Sequence, residues 1–105
     1  MTGEIIYGGY AEGEPVLFDD MRGELPEDVE GKIGIVVRVP MEKVYLLTKL
    51  RGMVIVGGGI LSHVAIIARE FKIPSVRLTD VDVDSLLHAN KIKITKDKII
   101  LTGGE

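Results

Sequence analysis

Ile55-Val-Gly-Gly-Gly-Ile-Leu-Ser-His-Val-Ala-Ile-Ile-Ala-Arg-Glu-Phe-Lys-Ile-Pro-Ser-Val76 is the stretch around which the rest of the chain is arranged. Its first residues complete an apolar, β-branched run, Met53 to Val56, short enough for a buried strand. Gly57, Gly58 and Gly59 then let the backbone turn sharply and leave its N–H groups uncovered by side chains. Ser62 stands at the N-cap position of a helix, with His63 just inside the first turn. Val64, Ile67, Ala68 and Phe71 recur at i, i+3, i+4 and i+7, which predicts an amphipathic helix with this stripe toward a core. Pro74 blocks continuation, and Ser75 to Leu78 reads as the next strand. The result is a βαβ unit with a histidine at the mouth of its helix.

The first N–H groups of a helix lack intrahelical partners, and the macrodipole places about half a positive charge there. An anion, phosphate above all, is favoured at that place. The same field opposes an added positive charge on His63 and so favours neutral imidazole, the nucleophilic form that accepts a phosphoryl group. On a helical wheel of ~100° per residue, His63 falls about a quarter turn from the centre of the apolar stripe. Packing can hold the ring there while one edge meets solvent. A structural histidine after a tight glycine connection is the alternative.

The pattern Gly-Gly-x-x-Ser-His-x-Ala-Ile-x-Ala-Arg-Glu-x-x-Ile-Pro-x-Val, Gly58 to Val76, resembles the signature of the phosphohistidine swivelling domain of phosphoenolpyruvate-utilising enzymes. That family includes phosphoenolpyruvate synthase, pyruvate phosphate dikinase and enzyme I of the sugar phosphotransferase system. A weaker likeness in the order of strands and helices runs from Val29 to Leu101. The resemblance implies an α/β domain of swivelling β/β/α type, with a mixed sheet, two longer helices and one short one. It makes His63 the residue phosphorylated in transit, with Gly58, Gly59 and Ser62 as phosphate contacts and Gly57 and Arg69 as outer support. Arg69 lies six residues past His63, a rotation of ~240°, so a salt bridge or a brace to a neighbouring loop is the competing role. Ile66 lies off the apolar stripe, close to His63 and Glu70 on the wheel. Either a second layer covers it, or it lines a docking surface beside the histidine.

The 105 residues are enough for one domain with a single core, and 46% hydrophobic residues fit a globular α/β chain. A net charge of −3 leaves no basic footprint for nucleic acid. Zero cysteines exclude disulfides and thiolate chemistry. Neither a signal peptide nor a long apolar span appears, so no membrane is expected and the cytoplasm is the expected compartment.

Toward the N-terminus, Glu4 to Tyr7 reads as a strand, Ala11 to Pro15 as a turn, and Val16 to Phe18 as a second strand. Asp19 to Glu30 is rich in carboxylates without the spacing of a metal loop, so it reads as solvated surface. Lys32 to Val39 alternates with Ile33, Ile35, Val37 and Val39 on one face, a strand ended by Pro40. Met41 to Leu50 reads as a helix with Val44, Leu47 and Leu50 as its stripe, ended by Gly52.

Toward the C-terminus, Asp80 or Asp82 can cap a short helix through Leu86, Leu87 and His88, with Asn90 as a left-handed terminator. His88 is the only other histidine, and nothing ties it to chemistry. Lys91 to Thr95 and Lys98 to Leu101 form a hairpin around Lys96-Asp97. Its lysines suit protection of a sheet edge better than an anionic partner.

The expected function is that of a stand-alone phosphocarrier through His63, moving phosphate between partner proteins. The resemblance implies an ATP-grasp protein or a phosphoenolpyruvate/pyruvate barrel as those partners. ATP or phosphoenolpyruvate and a divalent metal would be bound by them, with no cofactor in this chain. Two alternatives stay open: a non-catalytic binding or regulatory module, and a small swivelling subunit of a larger enzyme such as a dehydratase. Leu61 where many members have Thr, with Val56 and Gly57 where a polar pair is common, favours the non-catalytic module. The intact Ser62-His63 pair favours the carrier.

Overall fold

The computed structural model describes residues 1–57 and 62–103. A five-stranded sheet forms the middle of the molecule, in the order β1 (Glu4–Tyr7), β6 (Ser75–Leu78), β5 (Gly52–Val56), β4 (Ile33–Arg38), β3 (Pro15–Asp19). β3, β4, β5 and β6 run parallel, and β1 joins β6 antiparallel, so the sheet is mixed. A second, antiparallel sheet has the order β2 (Tyr10–Gly13), β7 (Lys91–Thr95), β8 (Lys98–Thr102). A 3-10 helix (Met41–Lys49) and α1 (Ser62–Glu70) pack against each other, and α2 (Val83–Leu87) is the short third helix.

The side-chain pattern explains why three layers form. Successive residues of a strand point to opposite faces. In β5, Met53 and Ile55 enter the core under the helices, while Val54 enters the core between the sheets. In β4, Ile33 and Ile35 face the second sheet and Val36 faces the helices. A parallel sheet covered on both faces reads as a continuous apolar run. The structure is therefore β/β/α, as the family likeness implied. Val39 belongs to the helical side, not to the face of Ile33 and Ile35, because β4 ends before it and Pro40 redirects the chain.

The Met41–Lys49 segment departs from the expected α-helix. Its bonds span three residues, as in Lys43 N–H to the Pro40 carbonyl and Leu50 N–H to the Leu47 carbonyl, at 2.9 and 3.1 Å. Side chains at i and i+3 eclipse in this geometry. Val44, Leu47 and Leu50, spaced by threes, therefore share one inward side. Leu46 is buried as well, and Tyr45 is exposed.

Phe71 also differs from expectation: it lies past the end of α1 and is 56% exposed. Lys72 takes a left-handed φ of 55°, and Ile73 N–H reaches back to the Ala68 carbonyl at 2.9 Å. That six-residue closure turns the chain before Phe71 can reach the core, and Ile73 takes the buried place instead.

Tyr10–Gly13 is a strand, not part of a turn, because it pairs with β7 along its whole length. Only Ala11 of β2 is buried, so the sequence carries little alternation to reveal it. Asp82 is the cap of α2, accepting from Asp84 N–H at 3.1 Å. Asn90 is not left-handed; its N–H is held by the Thr102 carbonyl instead. Lys91 and Lys93 sit on the central strand of the small sheet and cover its outer face, and only Lys98 lies on an edge strand. Among the described residues no helix is long and apolar enough to cross a membrane.

Candidate functional site

Two chain segments meet at His63. α1 brings the histidine in its first turn, and Val64 and Ala68, both fully buried, fix the helix on the sheet. From the other side, β4 delivers Val39, 4% exposed and followed by Pro40. A residue before proline is pushed toward extended backbone, which takes Val39 off any helical ladder. Its carbonyl lies 3.1 Å from the Nε2 of His63. A carbonyl only accepts, so the ring donates through Nε2–H. In the neutral ring the lone pair is then on Nδ1, for which the described residues provide no hydrogen-bond partner. The ring is half-buried, at the edge of the packed face, as the wheel implied.

α1 begins at Ser62, which is thus its first helical residue where the sequence placed a cap. The side chain of Ser62, together with Gly58 and Gly59, lies outside the described residues. Gly57 has φ of +113°, and its N–H donates to the Leu78 carbonyl at 2.9 Å. Among the described residues, its chain neighbours aside, no atom lies within 4 Å of where its Cβ would be, so the glycine answers a backbone demand. Arg69 is exposed in the last turn of α1, and no ion pair engages it among the described residues. Ile66 is 55% exposed, so among the described residues no second layer covers it.

The structure therefore joins His63 to a partner that the sequence did not nominate. Val39 contributes only its backbone, 24 positions away, and Pro40 after an apolar run was the one signal that a carbonyl there would be free of a ladder.

One cavity lies beside the site and a second lies away from it. One of about 420 Å³ opens between the 3-10 helix and the 20–27 loop, lined by Asp20, Glu24, Glu27, Pro40, Lys43 and Leu46. The described residues contain no cluster of three or more metal-ligating side chains. Another, about 660 Å³, lies at the other end of the strands, where Glu12, Glu14, Arg51 and Lys91 line it.

Residues 29–104 match the family model described as the mobile domain of PEP-utilising enzymes. The solution NMR structure of a UPF0107 protein has the same fold, with a TM-score of 0.66 over 98% of each chain and 17% sequence identity. No curated protein sequence matches the chain.

Proposed function

The chain belongs to the mobile-domain family of PEP-utilising enzymes, and from that premise we propose that it is a phosphocarrier in which His63 holds a phosphoryl group between two partner proteins. The observation that carries this reading is the pose of His63: in the first turn of α1, half-buried, with one ring nitrogen tied to Val39 and the other without a protein partner among the described residues.

In the transfer, a ring-nitrogen lone pair forms the N–P bond while the bond from phosphorus to the donor oxygen breaks. The leaving oxygen keeps the electron pair. Attack by Nδ1 leaves the Nε2–H bond to Val39 in place, and that carbonyl then stabilises the positive charge gathered on the ring. Attack by Nε2 requires the ring first to leave Val39 and its proton to move to Nδ1. In the discharge step an acceptor oxygen attacks phosphorus and the N–P bond breaks, returning the lone pair to the ring. The helix N-terminus favours the dianion while it waits. Donor and acceptor sites, with any nucleotide or metal, are assigned to the partners.

A labelled phosphoryl donor and its enzyme test the reading. The chain should gain an acid-labile, base-stable phosphate that His63→Ala abolishes and His88→Ala leaves intact. Label that survives His63→Ala would end the assignment. The second reading, a non-catalytic module with the same fold, rests on Leu61 in place of the threonine common in the family; it expects no label under any donor.

A further inference from the structure

The two edges of the small sheet differ. Along β8 the edge is covered: Thr2 lies opposite Lys98, Ile99 N–H donates to the Met1 carbonyl at 2.7 Å, and Gly3 N–H to the Asp97 carbonyl at 2.8 Å. Along β2 it is open. The bond from Lys96 N–H to the Gly9 carbonyl, at 3.1 Å, sets the alternation of the β2–β7 ladder. Gly9, Ala11 and Gly13 exchange hydrogen bonds with β7, so Tyr10 and Glu12 turn their N–H and C=O groups away from it. Among the described residues no hydrogen bond takes up those outward groups. A groove of about 300 Å³ adjoins this edge, lined by Tyr10, Ala11, Glu12, Arg51, Lys93 and Ile94, and Tyr10 is 66% exposed. An edge strand with unpaired backbone groups is a template for another strand.

The residues of the edge select which strand fits. Gly9-Tyr-Ala-Glu-Gly13 is nearly symmetric about Ala11. When two copies pair antiparallel about a two-fold axis at Ala11, Gly9 faces Gly13, and Tyr10 faces Glu12 of the second copy. Tyr10 and Glu12 are the residues whose backbone groups point outward, so each N–H meets a carbonyl. Their side chains share the exposed outer face, where the Tyr10 ring gains a neighbour in Glu12 of the other copy. Elsewhere along the pairing only glycine and alanine meet, so no bulky side chain holds the strands apart. Charges around the edge are mixed: Glu12 with Arg51 and Lys93 in the groove, and Glu14 with Lys91 at one end. Lys96 and Asp97 stand together in the turn at the other end. Two copies thus meet without a patch of one sign opposing them.

We infer that the chain forms a symmetric dimer through β2, which joins the two small sheets into one continuous sheet. His63 and the helical layer lie on the opposite side of the large sheet and stay open in the dimer. The inference does not depend on the phosphocarrier reading.

Sedimentation equilibrium of the full chain, over a concentration series reaching about 1 mM, should show monomer and dimer in exchange. As concentration rises, the Tyr10 and Glu12 amides should exchange hydrogen more slowly, while the Ala11 amide, already bonded to β7, should change little. In a mixture of isotope-labelled and unlabelled chains, the α protons of Ala11 should give an intermolecular contact, because such facing residues stand about 4.5 Å apart. Tyr10→Glu alters only an exposed side chain and sets a carboxylate against Glu12 of the second copy on both sides of the axis. It should weaken association about tenfold. Glu12→Pro removes an outward N–H and should abolish association, with Ala11 protection showing that β2 still lies on β7. A chain that stays monomeric to about 1 mM overturns the inference. So does a dimer that Tyr10→Glu leaves unweakened, or protection of the Tyr10 and Glu12 amides that appears only when a different protein is added.

Discussion

The Nε2 of His63 stands 3.1 Å from the carbonyl oxygen of Val39, a bond that ties the first turn of α1 to the residue following β4. Because the carbonyl cannot donate, this contact selects the tautomer. The neutral ring should carry its proton on Nε2. Long-range proton–nitrogen NMR of the imidazole distinguishes the two nitrogens, and a proton found on Nδ1 would contradict the geometry. After charging, the same spectrum reports which nitrogen bears phosphorus. Phosphorus on Nε2 would mean that the ring leaves Val39 during transfer.

Catalysis by this chain alone should be absent. The phosphocarrier reading assigns nucleotide, phosphoenolpyruvate and metal to the partner proteins. Purified protein should neither hydrolyse ATP nor consume phosphoenolpyruvate. Robust turnover that a point mutation in this chain abolishes would reveal a site of another kind.

Inorganic phosphate should bind weakly at the mouth of α1. The backbone supplies unpaired N–H groups there whatever the side chains are. Without a threonine at position 61 the site lacks a polar support, worth roughly 1.5–3 kcal/mol, so affinity in the millimolar range or weaker is expected. A phosphate titration followed by amide NMR should move the signals of residues 58–63 first, and added salt should reduce the response. Shifts confined to other residues would leave the glycine turn as a connection only.

Gly52→Ala should destabilise the fold. An added Cβ would stand 2.9 Å from Ile94 Cδ1, 3.0 Å from Ala11 Cβ and 3.1 Å from Ile33 Cδ1, where the two sheets meet. Overpacking of this kind costs roughly 1–3 kcal/mol. Thermal unfolding should show it as a lower Tm, and an unchanged Tm would mean that the interface between the sheets yields without strain.

Asp82→Ala should cost about 1 kcal/mol through loss of the α2 cap, because Asp82 Oδ1 accepts from Asp84 N–H at 3.1 Å. Denaturant unfolding measures the loss, and Asp82→Asn or Asp82→Ser should restore most of it. Equal stability of Asp82→Ala and wild type would leave that hydrogen bond without weight.

What the sequence made legible was local. Strand β5, the start of α1 and strand β6 are written in apolar periodicity, in glycine and in Pro74, and β6 runs from Ser75 to Leu78 as read. Strand β2 was hidden because its identity depends on β7, whose paired residues are 79 to 85 positions away, and only one of its side chains is buried. Phe71 fitted the helical stripe, yet the left-handed Lys72 closed the helix first. At the site, the position of His63 followed from local rules, whereas its hydrogen-bond partner did not. A backbone carbonyl has no letter in the sequence, and only the crossing of two distant segments brings Val39 to the ring.

The 3-10 helix gains a mechanical meaning from the short connections on either side of it. Only Val39-Pro40 and Leu50-Arg51 separate it from β4 and β5, which lie side by side from Ile33 opposite Gly52 to Val36 opposite Ile55. The crossover must therefore travel back along a strand, about 17 Å for five residue steps at ~3.3 Å each. Nine residues of α-helix would reach only ~13.5 Å, whereas nine in 3-10 geometry reach ~18 Å. The 3-10 geometry matches the distance that the segment has to cover. Removing one residue from it would cut its reach by ~2 Å, and the unit between β4 and β5 should close less well.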